Sequence, residues 1–144
     1  MAFSSIRDRL KSKLRTAIAM AVLARARIIV GVLPFDRWRD SLGTSADRIG
    51  DRALSQDLAE ARRLAAHIEY AARRAPFYTN CLPRAVALSW QLRRRSIPHE
   101  LVLAARPATA QEVGDRLHAC VDVAGTRILG ELPGPWLDAA RLGA

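Results

Sequence analysis

Cysteine is scarce in this chain of 144 residues, which contains only Cys81 and Cys120. Two thiols are too few for the disulfide framework that stabilises small secreted domains, and their setting matches no paired metal-binding spacing. The simplest inference is a reduced, cytoplasmic protein. A zinc site built from both cysteines and His118 would lack a fourth ligand, so we expect neither a metal nor a cofactor.

Long hydrophobic runs are also missing. The apolar stretch IAMAVLA at 18–24 follows a basic segment and faintly imitates a secretory signal, but Arg25 and Arg27 close it after nine uncharged residues. A helix that crosses a membrane needs about 20 predominantly apolar residues. We therefore expect neither a membrane-spanning helix nor a cleaved signal peptide.

Aromatic residues and acidic residues are both in short supply. Aromatic side chains make up 6% of the chain, and 23 Lys and Arg face 14 Asp and Glu, which gives a formal net charge of +9. Such an excess favours an anionic partner, whether nucleic acid, a membrane surface or an acidic protein. The cations are spread over several predicted helices without interleaved aromatic residues that could stack on bases. We therefore expect no nucleic-acid partner.

Length and composition indicate one globular domain. A chain of 144 residues, half of them apolar, can bury a real core but not two full ones. No internal repeat or low-complexity stretch is present. We divide the chain into an N-terminal helical region at 1–54 and a core at 55–144, which together form one compact unit. The Gly-Pro-Trp tail around Trp136 is expected to be loosely attached.

The residues from Ser5 to Val32 predict a long amphipathic helix, which Pro34 ends. We expect its apolar face to pack on the domain; a helix that docks on a membrane surface or a partner is the alternative that the same pattern permits. The shared apolar face comprises Ile6, Leu10, Leu14, Ala17, Ile18, Ala21, Ile28 and Val32, and the cations on the other side are Arg7, Arg9, Lys11, Lys13 and Arg15.

Two further helices are predicted before Cys81. Phe35 and Trp38, three residues apart, indicate a short helix that Gly43 ends. Ser55 then begins a longer helix that Pro76 stops. Its predicted buried stripe comprises Leu58, Ala61, Leu64, Ala65, Ile68 and Ala72.

The second half of the chain predicts a helix followed by antiparallel strands. After Cys81 the apolar residues are nearly continuous around the helix, which indicates burial on more than one side, and Pro98 blocks its continuation. A period of two then predicts strands at 99–106, 116–123 and 126–129. The predicted fold class is α+β, with N-terminal helices ahead of a Cys-bearing helix packed on a small antiparallel sheet.

Cys81 is a candidate nucleophile because of its position. Pro83 suits the first turn of a helix, where its missing N–H is not needed, so Cys81 is predicted to lie at the helix start. Free backbone amides and the positive end of the helix dipole favour a thiolate there. Free cysteine is also among the most buried residue types, so a structural thiol is the alternative.

A nucleophilic thiol needs a partner base. In the predicted strand RLHACVDV, alternation places His118, Cys120 and Asp122 on one face and the apolar residues on the other. A polar face of this kind is typical of a strand that borders a site, so His118 is the candidate base. The three histidines available are His67, His99 and His118.

The following turn predicts a partner for that imidazole. If Ala124 and Gly125 form a two-residue hairpin turn, His118 lies opposite Glu131, with Cβ atoms about 5 Å apart. A carboxylate at that distance can orient an imidazole. Asp122, four residues along the same strand, is too distant to do so. Glu131 is therefore the predicted third member of the site, with Asp122 as the other acid available.

The order of Cys-bearing helix, strand, His-bearing strand and acid-bearing strand is that of papain-like and transglutaminase-like thiol enzymes. The blocks NCLPRAVALSWQLRRRSIPHELVLAARP and LHACVDVAGTRILGE resemble the leader-removing protease of lasso-peptide biosynthesis. In that transglutaminase-like family, Cys-Leu-x-Arg-(Ala/Ser) opens the helix and His-Ala-Trp begins the later strand. The run LARARIIVGVLPFDRWRDSLG resembles the family's helical lead-in, so the likeness covers nearly the entire chain.

This resemblance implies a cytoplasmic cysteine protease that cuts the leader from a ribosomally made precursor peptide, with Cys81 as nucleophile and His118 as base. It also implies two partners, a separate leader-binding protein and an ATP-dependent cyclase that closes the macrolactam ring. Two positions depart from the family pattern: Cys120 replaces the Trp, and Glu131 would substitute for the Asp. The alternatives are an inactive transglutaminase-like scaffold in the maturation complex and a basic module that binds membranes or nucleic acid.

Overall fold

The chain folds into a layer of helices packed on one antiparallel sheet. The structure, a computed structural model, describes residues 2–42, 55–106, 117–130 and 136–143. The predicted α+β class is confirmed. The helices are α1 (Ala2–Val32), α2 (Phe35–Trp38), α3 (Ser55–Arg74) and α4 (Cys81–Arg94), with a 3₁₀ turn at Arg39–Leu42; the strands are β1 (Glu100–Ala105), β2 (Leu117–Val123), β3 (Thr126–Leu129) and β4 (Leu137–Gly143). The predicted helix end at Gly43 lies outside the described residues.

The sheet has the strand order β3-β2-β1-β4, with antiparallel neighbours throughout. The three predicted strands are confirmed within a residue of their expected bounds. β4 corrects a prediction, because the tail after Trp136 is not loosely attached but pairs with the whole length of β1. Its sequence LDAARLG has little intrinsic strand preference, so the free edge of β1 rather than local propensity makes it a strand.

The turn between β2 and β3 is the predicted two-residue hairpin. Val123 pairs with Thr126, and the two loop residues Ala124 and Gly125 have positive φ values of 51° and 73°. Two consecutive positive φ values are typical of the type I′ turn, whose twist matches that of the flanking strands. The period of two in the flanking strands, together with Ala124-Gly125 between them, was therefore enough to predict this hairpin.

α4 is the most deeply buried helix in the described part of the chain. It packs against α1 and α3 on one side and against β1 and β2 on the other. The two-sided burial predicted from its nearly continuous apolar sequence is confirmed, and each buried Val or Leu side chain contributes roughly 1.5–3 kcal/mol. The residues of α4 with no solvent exposure are Ala85, Val86, Ala87, Leu88, Ser89 and Leu92.

A tight backbone turn returns the chain from α4 to the sheet. The Ile97 N–H donates to the Leu92 carbonyl at 3.0 Å and the Ser96 N–H donates to the Arg93 carbonyl at 3.0 Å, which is the Schellman pattern. Ser96 adopts the required left-handed conformation, with φ of 56°. The chain is thereby reversed, and β1 runs back along α4.

His99 locks this reversal in place. Its Nδ1–H donates to the Ile97 carbonyl at 2.9 Å, and the Ser89 hydroxyl of α4 donates to its Nε2 at 2.7 Å. Burial lowers the pKa of His99 from its ordinary value of 6.5; the Ile97 carbonyl opposes this effect and Arg93 adds to it. The neutral ring is therefore the form that the fold accommodates.

α1 packs with the side opposite to the predicted one. Leu14 and Leu23 are nine residues apart, which is two and a half helical turns, so they point in opposite directions. Leu23 is fully buried together with Ala19 and Ala26, whereas Leu14 is 60% exposed. The expectation that the predicted apolar face packs on the domain is wrong. Met20, Val22, Ile29 and Val30 are partly buried beside Leu23 and the two alanines. The aliphatic residues of the predicted face remain exposed instead.

Replacing each of the two leucines by alanine should show, through the change in the free energy of unfolding, which face of α1 is packed. Leu23→Ala should lower the free energy of unfolding by about 2–5 kcal/mol, because it removes a buried side chain and leaves a cavity. Leu14→Ala should change it by about 0.5 kcal/mol or less, because that side chain is mostly exposed. Urea unfolding followed by circular dichroism measures both, and equal losses would contradict the packing of α1.

The buried His99 predicts a loss of stability in mild acid. The unfolded chain takes up a proton near pH 6.5 and the folded chain only at lower pH, so stability is complete above 6.5 and falls as the pH decreases towards 5. The slope for one such group reaches about 1.4 kcal/mol per pH unit. Urea unfolding at several pH values should show this slope, and His99→Gln should reduce it. An unchanged slope in His99→Gln would assign the effect to other groups.

Candidate functional site

Cys81 is the first helical residue of α4, as the sequence predicted. Asn80 precedes it in an extended conformation and its side chain does not cap the helix. The amides of the first turn are thus left for another acceptor, and the positive end of the helix dipole lies beside the sulfur. Cys81 is half-buried against the edge of the core, so its thiol is not sealed inside the protein.

Arginine side chains of α4 and α1 hold the segment that leads into Cys81. Arg84 donates to the Thr79 hydroxyl at 3.3 Å and to the Glu69 carboxylate of α3 at 3.2 Å. Arg27 of α1 donates to the Tyr78 carbonyl at 2.7 Å. The residues just before the nucleophile candidate are therefore positioned by tertiary contacts.

A groove runs beside Cys81, between the end of α1 and the start of α4. Its volume is about 480 Å³, which is in the range of ligand sites. The neighbours of Cys81 in sequence, Asn80 and Leu82, form part of its wall. The groove is open to solvent, and Cys81 itself is not among the described residues that line it. Its other lining residues are Arg27, Ile28, Val30, Gly31, Val32, Tyr78 and Pro83.

His118 is the second residue of β2 and is half-buried. Its Nε2 lies 2.5 Å from the Gly130 carbonyl, which can only accept, so the ring carries its proton on Nε2. The lone pair of Nδ1 is then available to act as a base. Trp136 stacks beside the imidazole, with 5.2 Å between ring centroids.

Gly130 and Trp136 are the neighbours of His118 that sequence reasoning missed. A backbone carbonyl has no signature in the sequence, because every residue carries one. Trp136 was assigned to a loose tail, and only the pairing of β4 with β1 brings it beside β2. The imidazole is thus oriented by groups that the sequence pattern did not reveal.

Cys81 and His118 lie at the same end of the fold. The Ser89–His99 hydrogen bond joins α4 to the start of β1. Cys81 lies about 12 Å from Ser89 along the axis of α4. From there β1 runs back in the direction of Cys81. Ala104 of β1 is the cross-strand partner of His118 and lies about 13 Å along the strand from Glu100. The reversal between α4 and β1 therefore brings both candidates to one end.

The two side chains nevertheless lie on different sides of the sheet: Cys81 is on the side of the helices, and His118 is on the outer side. Ala119, Val121 and Val123 pack in the core against the helices, so the alternate residues of β2 point to the outer face. This confirms the predicted polar set of His118, Cys120 and Asp122. Among the described residues, no hydrogen bond joins Cys81 to His118. The structure brings the candidates to one end but does not place their side chains in contact.

Glu131, the predicted orienting acid, lies outside the described residues. The register that predicted its position holds only near the turn, because Val121 pairs with Leu129 rather than with Ile128. One extra residue in β3 thus shifts the pairing at Val121, so the described part of β3 does not continue the register from which the pair of His118 with Glu131 was predicted.

The carboxylate of Asp122 forms ion pairs with arginines instead of contacting His118. Its carboxylate accepts from Arg127 at 2.8 Å and lies 3.7 Å from the guanidinium of Arg141. It stands about 13 Å along β2 from His118, a separation too large for direct contact. Asp122 is therefore a member of an ion-pair network on the outer face rather than an orienting group for the imidazole.

The other histidines have structural partners. His67 forms a hydrogen bond with Thr16 at 3.2 Å, and its pKa is lowered by burial and by nearby Arg15 and Arg63, although Glu60 opposes this. His99 links α4 to β1 as described above. His118 is thus the histidine in the described ranges that is placed near the start of α4.

Cys120 is a buried thiol. Its side chain has no solvent exposure, its S–H points to the Val102 carbonyl at 3.5 Å, and burial raises its pKa. These features suit a packing residue rather than a nucleophile. In the described part of the chain, no cluster of three His, Cys, Asp or Glu side chains is arranged to hold a metal ion.

A profile of the Transglutaminase-like superfamily matches residues 21–140, a span that contains both Cys81 and His118. The chain belongs to the Transglutaminase-like superfamily. Its members are commonly cysteine peptidases or transglutaminases. Searches of curated proteins and of solved structures return no significant match.

Gly130 gives a test of this end of the sheet. It has φ of 85°, and a Cβ placed there would lie 2.7 Å from the Ala119 carbonyl oxygen. Gly130→Ala should therefore lower the free energy of unfolding by about 3 kcal/mol through strain and overpacking. Gly125→Ala is the matched control, because φ is 73° but the space is open, and it should cost about 1 kcal/mol. Equal losses in urea unfolding would contradict the close approach at Gly130.

Proposed function

We propose that this protein is a cytoplasmic cysteine protease that removes the leader peptide from a ribosomally made lasso-peptide precursor. Membership of the Transglutaminase-like superfamily carries the proposal, because this family commonly uses a cysteine nucleophile. The resemblance of the Cys81 and His118 blocks to the lasso leader proteases narrows it to leader removal. The position of Cys81 at the start of α4, beside an open groove, supports the assignment.

In the proposed reaction, Cys81 is the nucleophile and His118 the general base. The Cys81 thiolate adds to the scissile carbonyl carbon, and the protonated imidazole then gives its proton to the departing amine. Water hydrolyses the resulting thioester and releases the leader. The Cys81 amide, at the uncapped start of α4, would stabilise the oxyanion. Glu131 would orient the imidazole of His118 in its catalytic position.

This chemistry requires His118 to move. Its ring lies on the outer face of β2, so proton transfer needs the start of β2 to turn the ring towards the start of α4. Among the described strands, that part of β2 is paired with β1, and its pairs with β3 begin at Val121. The movement would also break the hydrogen bond between His118 and the Gly130 carbonyl.

The proposal includes two partners that the resemblance implies. A separate leader-binding protein would deliver the precursor to the groove beside Cys81. An ATP-dependent cyclase would then use the newly freed amine to close the macrolactam. Both partners are proposed on the resemblance to the lasso leader proteases.

A catalytically inactive scaffold is the second candidate function. It is favoured by the placement of His118 and Cys81 on different sides of the sheet, and by Cys120 at the position where the resemblance expects Trp. Such a protein would use the same fold to hold the precursor or the cyclase without cutting a peptide bond. Thiol reactivity distinguishes the two functions.

Alkylation by iodoacetamide near neutral pH tests the proposed pair. Cys81 should react faster than an ordinary exposed cysteine. His118→Ala should slow the reaction by roughly tenfold or more, because this variant lacks the imidazole that stabilises the thiolate once the start of β2 turns towards α4. His67→Ala is the matched control and should react like the unaltered protein. Mass spectrometry follows the modified peptide, and the buried Cys120 should remain unlabelled until the chain is unfolded.

Equal rates in the His118→Ala and unaltered proteins would exclude the proposed base and favour the scaffold. A Cys81 rate no higher than that of free cysteine would do the same. Circular dichroism of each variant ensures that a change in rate does not come from unfolding.

A further inference from the structure

An apolar stripe runs along the outside of α1. We name it the outer stripe; its large members lie on the side of the helix opposite the buried Leu23. Its first part, from Ile6 to Ile18, extends about 18 Å at 1.5 Å per residue, and the exposed Arg25 separates it from Ile28 and Val32. A soluble domain rarely exposes so long a row of aliphatic side chains without a partner. The exposed fractions are Ile6 63%, Leu10 67%, Leu14 60%, Ile18 44%, Ile28 62% and Val32 75%.

Cations flank the first half of the outer stripe on both sides. At 100° per residue, Arg7 and Lys11 lie along one edge of the stripe, and Arg9 and Lys13 lie along the other. Among the described residues, none of these four forms an ion pair, although acidic partners are recorded for other arginines of the chain. The acidic residue of α1 is Asp8 alone. This half of the helix therefore carries both an apolar surface and a concentrated positive charge.

This combination suits the surface of an anionic membrane. An amphipathic helix with aliphatic residues on one face and Lys and Arg beside them lies in the plane of the interface, with the apolar face among the acyl chains. The cations then reach the anionic headgroups, and each adds to the attraction. None of the described helices has the length and apolar content needed to cross a bilayer, so α1 would lie on the membrane rather than span it.

A second copy of the chain is a poorer occupant. Two α1 helices joined through their outer stripes would bring the flanking cations of both copies together, and like charges repel. We propose that α1 binds the surface of an anionic membrane through its outer stripe, with the rest of the domain on the aqueous side. This inference does not depend on the proposed protease activity, because the flanking cations and Leu10 and Leu14 lie outside the groove beside Cys81, which shares only Ile28 and Val32 with the outer stripe.

Vesicle co-sedimentation with the full chain tests the proposal. Vesicles of phosphatidylcholine with about one quarter phosphatidylglycerol should bind the protein, and pure phosphatidylcholine vesicles should bind it at least tenfold more weakly. Raising the salt concentration should weaken binding to the anionic vesicles without abolishing it, since the apolar contribution is not screened.

A matched pair of variants distinguishes the contribution of the outer stripe to vesicle binding from the contribution of net charge. Leu10→Glu with Leu14→Glu places two carboxylates in the outer stripe and should lower the vesicle partition coefficient by tenfold or more. Ser5→Glu with Ser12→Glu makes the same charge change on an exposed side away from the stripe and should lower it only a few fold. Both variants alter exposed positions, and far-UV circular dichroism verifies that they remain folded.

Equal losses in the two variants would show adsorption by charge alone and overturn the role of the outer stripe. Absence of binding to anionic vesicles would overturn the proposal outright. A lipid-free dimer, detected by analytical ultracentrifugation and lost in Leu10→Glu with Leu14→Glu, would make the stripe an interface between copies. Tighter binding to an acidic polypeptide such as polyglutamate than to vesicles would assign it to an acidic protein partner.

Discussion

The burial of α4 between the helical layer and the sheet is the constraint on which the rest of the structure depends. Alanine, valine and leucine cover the helix on nearly every side, so α1, α3 and the sheet can all approach it closely. Because both of its faces are in the core, α4 cannot slide or rotate without exposing apolar surface. Cys81 is consequently held at one end of the core, and the Ser89–His99 hydrogen bond sets the level at which β1 begins.

The sheet divides its residues between two environments, and this division decides how the candidate site works. The inner face of β2 contributes to the core beside α4, whereas its outer face bears His118 and the charged Asp122. Contact between Cys81 and His118 would therefore require a movement of the first residues of β2, whereas the middle of the strand, which is paired on both sides, could stay in place. The Gly130 carbonyl and Trp136 define the imidazole position that a catalytic cycle would have to leave and regain.

α1 shows how packing density and hydrophobicity can favour different faces of one helix. Its inner side combines Leu23 and alanines with partly buried residues such as Val22 and Ile29, while a second set of aliphatic residues remains exposed on the other side. Hydrophobic periodicity alone measures only that a face is apolar. It does not distinguish a face that fits a neighbouring helix from one that stays exposed, and both are present here.

Local sequence determined the elements themselves. Proline positions and apolar spacing gave the bounds of α3 and α4, the period of two gave β1 to β3, and Ala124-Gly125 gave the hairpin turn, because these signals act over a few residues. The start of α4 at Cys81 and the polar face of β2 were accessible for the same reason.

Tertiary structure alone decided the relations between elements. It paired the tail of the chain with the free edge of β1, selected the inner face of α1, and shifted β3 by one residue after Asp122. It also set His118 and Cys81 at one end of the sheet but on different sides. These outcomes depend on which surfaces fit one another across long separations in sequence, and no local pattern contains that information.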